Sequence, residues 1–214
     1  MYRRILLALL CSLGAAAAMA QGVRNVEGCS IRRGTLCASM NLNGADLAGA
    51  DLAHSQFTRS VLSGANLSGA IFNEANLAST DLREANLEGA SLVRINARSA
   101  RFNGANLSKA NLSGATLQNA NLGGANLSGA NVAGADLTNA RLEKAQLDRA
   151  DLSRANLRAT TLRGASFVGA NLQGANLTSA DLTDADLTDA NIDQAVFVRA
   201  RTNGCKGCPE APLR

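Results

Sequence analysis

A pattern with a period of five residues runs from Met40 to about Ala200. In one fixed frame, every fifth residue is apolar at 32 consecutive positions, and all but one of them are large: 24 are Leu and five are Phe. The three remaining positions of this frame are Val132, Ile192 and Ala97. The residue two positions earlier is small, and it is Ala in 26 of the 32 units. Asn or Asp usually stands between the two, so the repeating unit reads A-(N/D)-L-x-x.

A period of five fits neither of the regular secondary structures. An α-helix has 3.6 residues per turn and would spread the Leu side chains over every face, and a strand would send alternate Leu to opposite sides. The pattern instead predicts a chain that turns a corner every five residues and points one large and one small side chain inward. Units this short bury nothing alone, so the pattern also predicts that they stack.

The units resemble those of the pentapeptide-repeat family. Two examples are A-N-L-S-G at Ala65 to Gly69 and A-D-L-T-D at Ala180 to Asp184, and the resemblance covers three quarters of the chain. It implies an all-β fold, the right-handed quadrilateral β-helix, in which four units form one square coil. Thirty-two units then imply about eight coils, or a rod of roughly 38 Å at the usual strand spacing.

The resemblance also implies a role for each position of the unit. Leu and Phe would form a dry interior, and Ala would fill the tight positions beside them. The intervening Asn and Asp would stack in hydrogen-bonded ladders and adopt turn geometry, and Gly would occupy corners with positive φ. In Ile95-Asn96-Ala97 the large and small residues trade places. We expect a conservative exchange inside the core there, and a local bulge or kink is the alternative.

Four segments follow from the pattern. Residues 1–20 are predicted to be a secretory signal peptide, 21–39 an N-terminal cap, 40–200 the repeat β-helix, and 201–214 a C-terminal cap or tail. Residues 3 and 4 are Arg, an apolar stretch follows, and Ala18-Met19-Ala20 is a small-x-small cleavage site. We therefore expect cleavage after Ala20 and an exported protein, periplasmic or extracellular, with no transmembrane anchor after cleavage.

Two other interpretations of the N-terminus remain. A transmembrane anchor is disfavoured because the strongly apolar part is short and rich in Ala and Gly. A lipoprotein would use Cys11, but Leu10 stands where lipoproteins have a small residue.

Four cysteines remain after cleavage, and export would expose them to an oxidising compartment. Of the three possible pairings, we expect Cys29–Cys37 and Cys205–Cys208, because about eight coils separate the two ends. The same separation argues against one four-cysteine zinc site within a monomer. Cys205-Lys206-Gly207-Cys208 also has the spacing of a redox C-x-x-C motif, so redox activity, an end-on metal site and an intermolecular bond stay open beside a structural disulfide.

The sequence contains no recognisable catalytic motif. The single histidine, His54, lies at an outward corner of the repeat, where a solvated or ladder-packed side chain is expected. No G-x-S-x-G sequence and no P-loop is present, and the many Ser, Asp and Asn occupy repeat positions. We therefore expect no enzymatic activity, no cofactor and no metal.

Charge supplies the candidate binding residues. The whole chain carries +4, and the chain without residues 1–20 would carry about +2, from 19 basic and 17 acidic residues. Six basic residues lie close together in sequence and are the candidates for binding an anionic partner: Arg141, Lys144, Arg149, Arg154, Arg158 and Arg163. Five aspartates follow them: Asp181, Asp184, Asp186, Asp189 and Asp193. A mixed, solvated surface explains these charges without a partner, and the functional alternative is a rod with a dipole along its axis that docks an anionic partner through its basic coils. Because no aromatic residue interleaves the arginines, nucleic acid is an unfavoured partner.

These observations predict an exported, non-enzymatic scaffold or protein-binding surface whose partner is an unknown protein or an anionic component of the envelope. The alternative from the family is a DNA mimic that inhibits or protects a topoisomerase. Members of that class resemble strongly acidic cytoplasmic rods with interrupted coils and a dimerisation module, and this chain departs from them on each count. A redox protein acting through Cys205 and Cys208 is the third hypothesis.

Overall fold

The structure is a computed structural model that describes residues 24–210. The predicted signal peptide, the cleavage site after Ala20 and Cys11 lie outside the described residues. Within residues 24–210, no helix has the length and apolarity needed to span a bilayer.

A short hairpin precedes the repeats. Strand β1 (Arg24–Val26) pairs antiparallel with β2 (Cys29–Ile31), and Val26 lies opposite Cys29. The two-residue turn between them, Glu27 and Gly28, has positive φ at both positions, which matches the twist of a tight hairpin. Val26, Cys29 and Ile31 pack against the apolar interior, so the hairpin covers the first repeats.

The rest of the described chain is a β-helix solenoid. Isolated parallel bridges join residues that are 20 positions apart, from Leu36–Gln56 through to Asp186–Lys206, so one circuit of the chain contains four five-residue units. Backbone hydrogen bonds between circuits repeat in the same register. For example, the Leu42 N–H donates to the Val61 carbonyl over 2.7 Å, and the Val61 N–H donates to the Met40 carbonyl over 2.9 Å.

Each unit points two residues inward, one on either side of its bridged residue. The large residue follows the bridged residue and the small one precedes it, and both are buried in nearly every unit. The few inward hydroxyls mostly bond to backbone carbonyls, as Thr80 does to Phe57 over 2.8 Å. The inward frame predicted from the sequence is therefore confirmed.

The exchange of large and small residues at Ile95 and Ala97 leaves the solenoid unchanged. Both side chains are fully buried, and the Ala97 N–H donates to the Thr116 carbonyl over 2.8 Å in the usual register. The volume is conserved across the pair, so the core accepts the exchange without a bulge.

The corners have left-handed backbone geometry. The residue two positions before each bridged residue has positive φ in every unit from Gly34 to Gly204. Gly occupies many of these corners as expected, and Ser, Asn, Gln, Asp, Glu, His, Lys, Arg and Ala occupy the others. None is β-branched, because a branched Cβ is the side chain least tolerated at positive φ.

Asn and Asp at the bridged positions form local hydrogen bonds at the corner more often than hydrogen bonds within a ladder. At all twenty-one such residues, Oδ1 accepts the backbone N–H two residues later, as Asn126 does from Ser128 over 3.0 Å. Hydrogen bonds between stacked side chains are fewer, one example being Asn106 to Asn86 over 3.1 Å. The predicted ladders therefore exist in part, and the local bond explains the residue choice more completely.

The bridged array extends beyond the sequence repeat by one unit at the N-terminal end and by two at the C-terminal end. Leu36 is bridged, and Cys37 occupies the large inward position that Leu holds elsewhere. A disulfide joins Cys37 to Cys29 at the start of β2, with 5.5 Å between their Cα atoms. At the other end Lys206 is bridged, and a second disulfide joins Cys205 to Cys208, with 5.8 Å between their Cα atoms.

Candidate functional site

The solenoid presents four outward sides, which we number by the first bridged residue of each column. Side 1 begins at Leu36, side 2 at Asn41, side 3 at Asp46 and side 4 at Asp51. A side consists of its bridged residues and the residues two positions after them. The corner row of a side is the set of residues two positions before its bridged residues.

The six basic residues proposed from the sequence do not form one patch. Arg141 and Arg163 lie on side 2, Arg158 lies on side 1, and the other three lie on the corner rows of sides 3, 4 and 1. Because one circuit takes 20 residues, a cluster spanning 23 residues is distributed around the whole perimeter. All six side chains are exposed, but they form a belt and not a binding face.

Three members of the belt extend along the stack over glycine. A Cβ at Gly164 would lie 3.7 Å from Cγ of Lys144, one circuit earlier. The distance is the same from a Cβ at Gly169 to Cγ of Arg149, and from one at Gly174 to Cγ of Arg154. Absence of a side chain at those corners therefore gives the long basic side chains room to lie along the rod.

Summing charges over the sides shows a division that the linear sequence hides. Sides 1 and 2 with their corner rows carry eleven arginines and five carboxylates, a net charge of +6. These arginines are Arg59, Arg83, Arg94, Arg98, Arg101, Arg141, Arg154, Arg158, Arg163, Arg199 and Arg201. Sides 3 and 4 with their corner rows carry ten carboxylates and four bases, a net charge of −6.

The carboxylates of sides 3 and 4 include four of the five aspartates noted in the sequence. They are Asp46, Asp51, Glu84, Glu88, Asp148, Asp151, Asp184, Asp186, Asp189 and Asp193. The four bases among them are Lys109, Lys144, Arg149 and Lys206, so every lysine of the chain lies on this half. We call sides 1 and 2 with their corner rows the arginine half, and the remainder the acidic half.

Each arginine of side 2 itself is paired with a carboxylate of the same side. Asp81 contacts Arg83 at 2.7 Å and Arg101 at 3.8 Å, and the hydrogen bond from the Arg83 side chain is the main cause that lowers the pKa of Asp81. Asp181 contacts Arg163 at 2.6 Å and lies 3.9 Å from Arg201. Burial raises the pKa of Asp181, but hydrogen bonds from Thr183 and Arg163 outweigh it and leave this pKa below its ordinary value.

Side 1 holds fewer carboxylates. Its one carboxylate is Asp136, which accepts hydrogen bonds from Gln118, from Asn156, and from the backbone and hydroxyl of Thr138. Burial raises the pKa of Asp136, but the hydrogen bonds from Thr138 and Gln118, together with the charge of Arg98, bring this pKa below its ordinary value.

His54 belongs to a column of charged side chains on the corner row of side 1. Its Nε2 accepts a hydrogen bond from Arg33 over 2.8 Å, and its Nδ1 lies 3.4 Å from Glu74, which also pairs with Arg94. Because guanidinium only donates, Nε2 is the acceptor in the contact with Arg33. The outward corner position expected for His54 from the sequence is confirmed.

The second disulfide lies at the end of the last bridged unit. Cys205 occupies a small inward position, and its N–H donates to the Thr202 carbonyl over 3.0 Å, as in the other units. Both sulfur-bearing residues are half-buried. The described part of the chain holds no group of three His, Cys, Asp or Glu side chains placed to bind a metal.

Comparisons with known proteins fit this geometry. The sequence pattern described as pentapeptide repeats matches in eight copies, at residues 41–78, 80–119, 115–154, 155–194 and 180–201. No curated protein sequence matches the chain.

Several solved structures are similar to the chain. HetL, a pentapeptide repeat protein involved in heterocyst differentiation regulation in the cyanobacterium Nostoc, is 32% identical over 81% of this chain and 91% of its own, with a TM-score of 0.40. A pentapeptide repeat protein of the Arabidopsis thaliana thylakoid lumen is 34% identical over 46% of this chain and 68% of its own, with a TM-score of 0.45.

QnrB1, a plasmid-mediated fluoroquinolone resistance protein, is 20% identical over 80% of this chain and 90% of its own, with a TM-score of 0.63. This last likeness supports the solenoid fold. The repeat matches across most of the sequence show that the chain belongs to the pentapeptide-repeat family.

Proposed function

We propose that this chain is an exported, non-enzymatic scaffold that binds an anionic partner, a protein or an envelope component, in the periplasm or outside the cell. Its framework would be a right-handed quadrilateral β-helix of about eight coils. The 20-residue bridge register supports this architecture, because four units then complete each square coil.

The charge division carries the proposal. Eleven of the twelve arginines between residues 36 and 206 lie on two adjoining sides, where a solvated surface without a partner would distribute them over four. Guanidinium groups bind carboxylate and phosphate in bidentate geometry, and lysine does not. An arginine half of this kind is suited to recognition of an anionic partner.

The solenoid framework suits such a role because it fixes the spacing of its surface groups. Every circuit is bonded to the next through the backbone on all four sides, so outward side chains are held at a regular repeat. Little conformational entropy would be lost on binding, because the surface is already ordered, and this favours affinity. Of the six basic residues singled out in the sequence, Arg141, Arg154, Arg158 and Arg163 belong to this surface, while Lys144 and Arg149 do not.

Cell fractionation and capture test the proposal together. We expect the chain to be recovered outside the cytoplasm with its N-terminus at Gln21, and to capture an envelope component in a salt-sensitive manner. Replacing Arg154 and Arg158 by Gln should weaken capture, whereas replacing Lys144 and Arg149 by Gln should not. Recovery in the cytosol with residues 1–20 intact, or equal capture by both double variants, would contradict it.

The acidic half favours a second candidate, protection of a topoisomerase by DNA mimicry. Sides 3 and 4 with their corner rows carry ten carboxylates. This half of the chain therefore resembles a strongly acidic DNA mimic more closely than the overall charge suggests. The fold shared with QnrB1, a fluoroquinolone resistance protein, supports this alternative at the level of architecture alone. A supercoiling assay with and without a fluoroquinolone distinguishes it, since the scaffold proposal expects no effect on gyrase.

A further inference from the structure

We propose that side 1, together with the corner rows at its two edges, is a docking surface for an anionic membrane. The rod would lie flat on a bilayer rich in anionic phospholipid, with side 3 facing away. This inference rests on the proposed function, and it names the anionic partner as a lipid surface.

Free arginines concentrate on this surface. Between residues 24 and 210, five of its six arginines are exposed and have no carboxylate oxygen within 4.0 Å: Arg59, Arg98, Arg154, Arg158 and Arg199. The sixth, Arg94, pairs with Glu74. Side 2, by contrast, uses its arginines to neutralise its own carboxylates, so side 1 offers more unoccupied guanidinium groups.

These arginines cover an area and do not follow a line. Arg154 lies on one edge, Arg98 and Arg158 lie on the side itself, and Arg59 and Arg199 lie on the other edge. Arg59 and Arg199 share a column seven circuits apart, which corresponds to about 34 Å along the rod. A planar array of anionic headgroups can meet all five, whereas a single extended polyanion can follow only one row.

Exposed aliphatic side chains mark both ends of the same side. Leu36 is 82% exposed at its first bridged position, and Val196 is 41% exposed at its last described one. Only one other large hydrophobic residue among those described is comparably exposed, Ile71 on side 4. Aliphatic groups beside cations suit the lipid–water boundary, where apolar side chains enter the acyl region and arginines contact phosphate.

Repulsion from carboxylates is low on side 1. Side 1 and both corner rows hold two carboxylates, Asp136 and Glu74, and each is occupied by its neighbours. Side 3 and both of its corner rows hold seven carboxylates and four bases. The difference gives the rod a transverse polarity that would orient side 1 toward an anionic surface.

Vesicle co-sedimentation tests the inference with a matched pair of double variants. The parent chain should sediment with phosphatidylglycerol vesicles, should not sediment with phosphatidylcholine vesicles, and should dissociate as salt is raised. Arg98→Gln with Arg158→Gln should weaken partitioning about 30-fold. Lys144→Gln with Arg149→Gln removes the same charge from the corner rows of sides 3 and 4, and should change partitioning less than about threefold.

Leu36→Ser tests the apolar contribution, and it should weaken partitioning without altering the salt dependence. All chains in the comparison begin at Gln21, the N-terminus that the proposed function expects, so the apolar stretch of residues 1–20 does not contribute to binding. Thermal melts verify that each variant remains folded. Equal losses in the two double variants, or no binding to phosphatidylglycerol, would overturn the inference.

Competition separates the membrane from a soluble polyanion. Poly-glutamate at equal charge should displace the chain only in part, and complete displacement would overturn the membrane assignment in favour of an acidic polymer. Failure of vesicle binding with arginine-dependent capture of an envelope protein retained would reject this inference and leave the proposed function standing. Loss of both would reject the two together.

Discussion

The inward and outward positions of the repeat obey different constraints. The two inward positions of each unit admit Leu or Phe beside Ala with few exceptions, and almost all are fully buried. The three outward positions admit many polar and charged residue types. Their net charge differs between sides, as the arginine half and the acidic half show. Inward residues therefore determine the fold, and outward residues are available to determine what it binds.

The largest expected contrast lies in the interior. Leu122 is fully buried, with Phe102 one circuit earlier and Leu142 one circuit later in the same column. Leu122→Ala should cost about 2–5 kcal/mol because it removes transfer energy and leaves a cavity. Leu122→Asp should cost more, since it places an unpaired charge in a dry core. Urea midpoints of the two variants measure the difference, and a midpoint close to that of the parent would refute the inward assignment.

Corner geometry is the next largest effect. Gly124 has a φ of 66°, and no atom lies within 4 Å of where a Cβ would be, so substitution there measures backbone strain without a clash. We expect Gly124→Val to cost about 1–2 kcal/mol. Gly124→Asn should cost less, because Asn tolerates this region and already occupies the corners at Asn119 and Asn139. Thermal melts compare the two, and equal destabilisation would show that the corner is not under this constraint.

A smaller effect is expected at the bridged positions. Asn126 accepts the backbone N–H of Ser128 over 3.0 Å, and Asn126→Ala would leave that N–H without its partner. We expect a loss of about 0.5–1.5 kcal/mol. Asn126→Asp keeps the acceptor and serves as the control, so it should retain most of the stability. If Ala and Asp at this position melt alike, the local hydrogen bond is not the reason for the Asn and Asp preference.

The sequence was sufficient for the inward frame because the interior repeats every five residues, and a period is visible without knowing where the chain goes. The occupants of the corners were not predictable to the same degree. Gly signals positive φ, but Lys144 and Glu84 adopt it as well, since the stacked hydrogen bonds impose the geometry on whatever residue is present.

The charge division was missed for a different reason. Arg141 and Lys144 are neighbours in sequence but lie on opposite halves of the rod, whereas Arg98 and Arg158 are 60 residues apart and share a column. Charge read along the chain therefore suggests an axial dipole, and charge summed by position within each 20-residue circuit reveals a transverse one. The six proposed binding residues include four of the arginine half but omit Arg59, Arg98 and Arg199, three of the five free arginines on side 1 and its two edges.

The smallest expected effect is at an outward residue that directly follows a buried one in sequence. Ser113 follows the buried Leu112 directly, but its side chain is partly exposed on side 4. Ser113→Asp should cost less than about 0.5 kcal/mol, because water solvates the added carboxylate and no buried group loses a partner. Leu112→Asp, one residue earlier, is the matched control and should be severely destabilising. Since the two substitutions introduce the same group at adjacent positions, similar urea midpoints for both would mean that the division between inward and outward positions is misplaced.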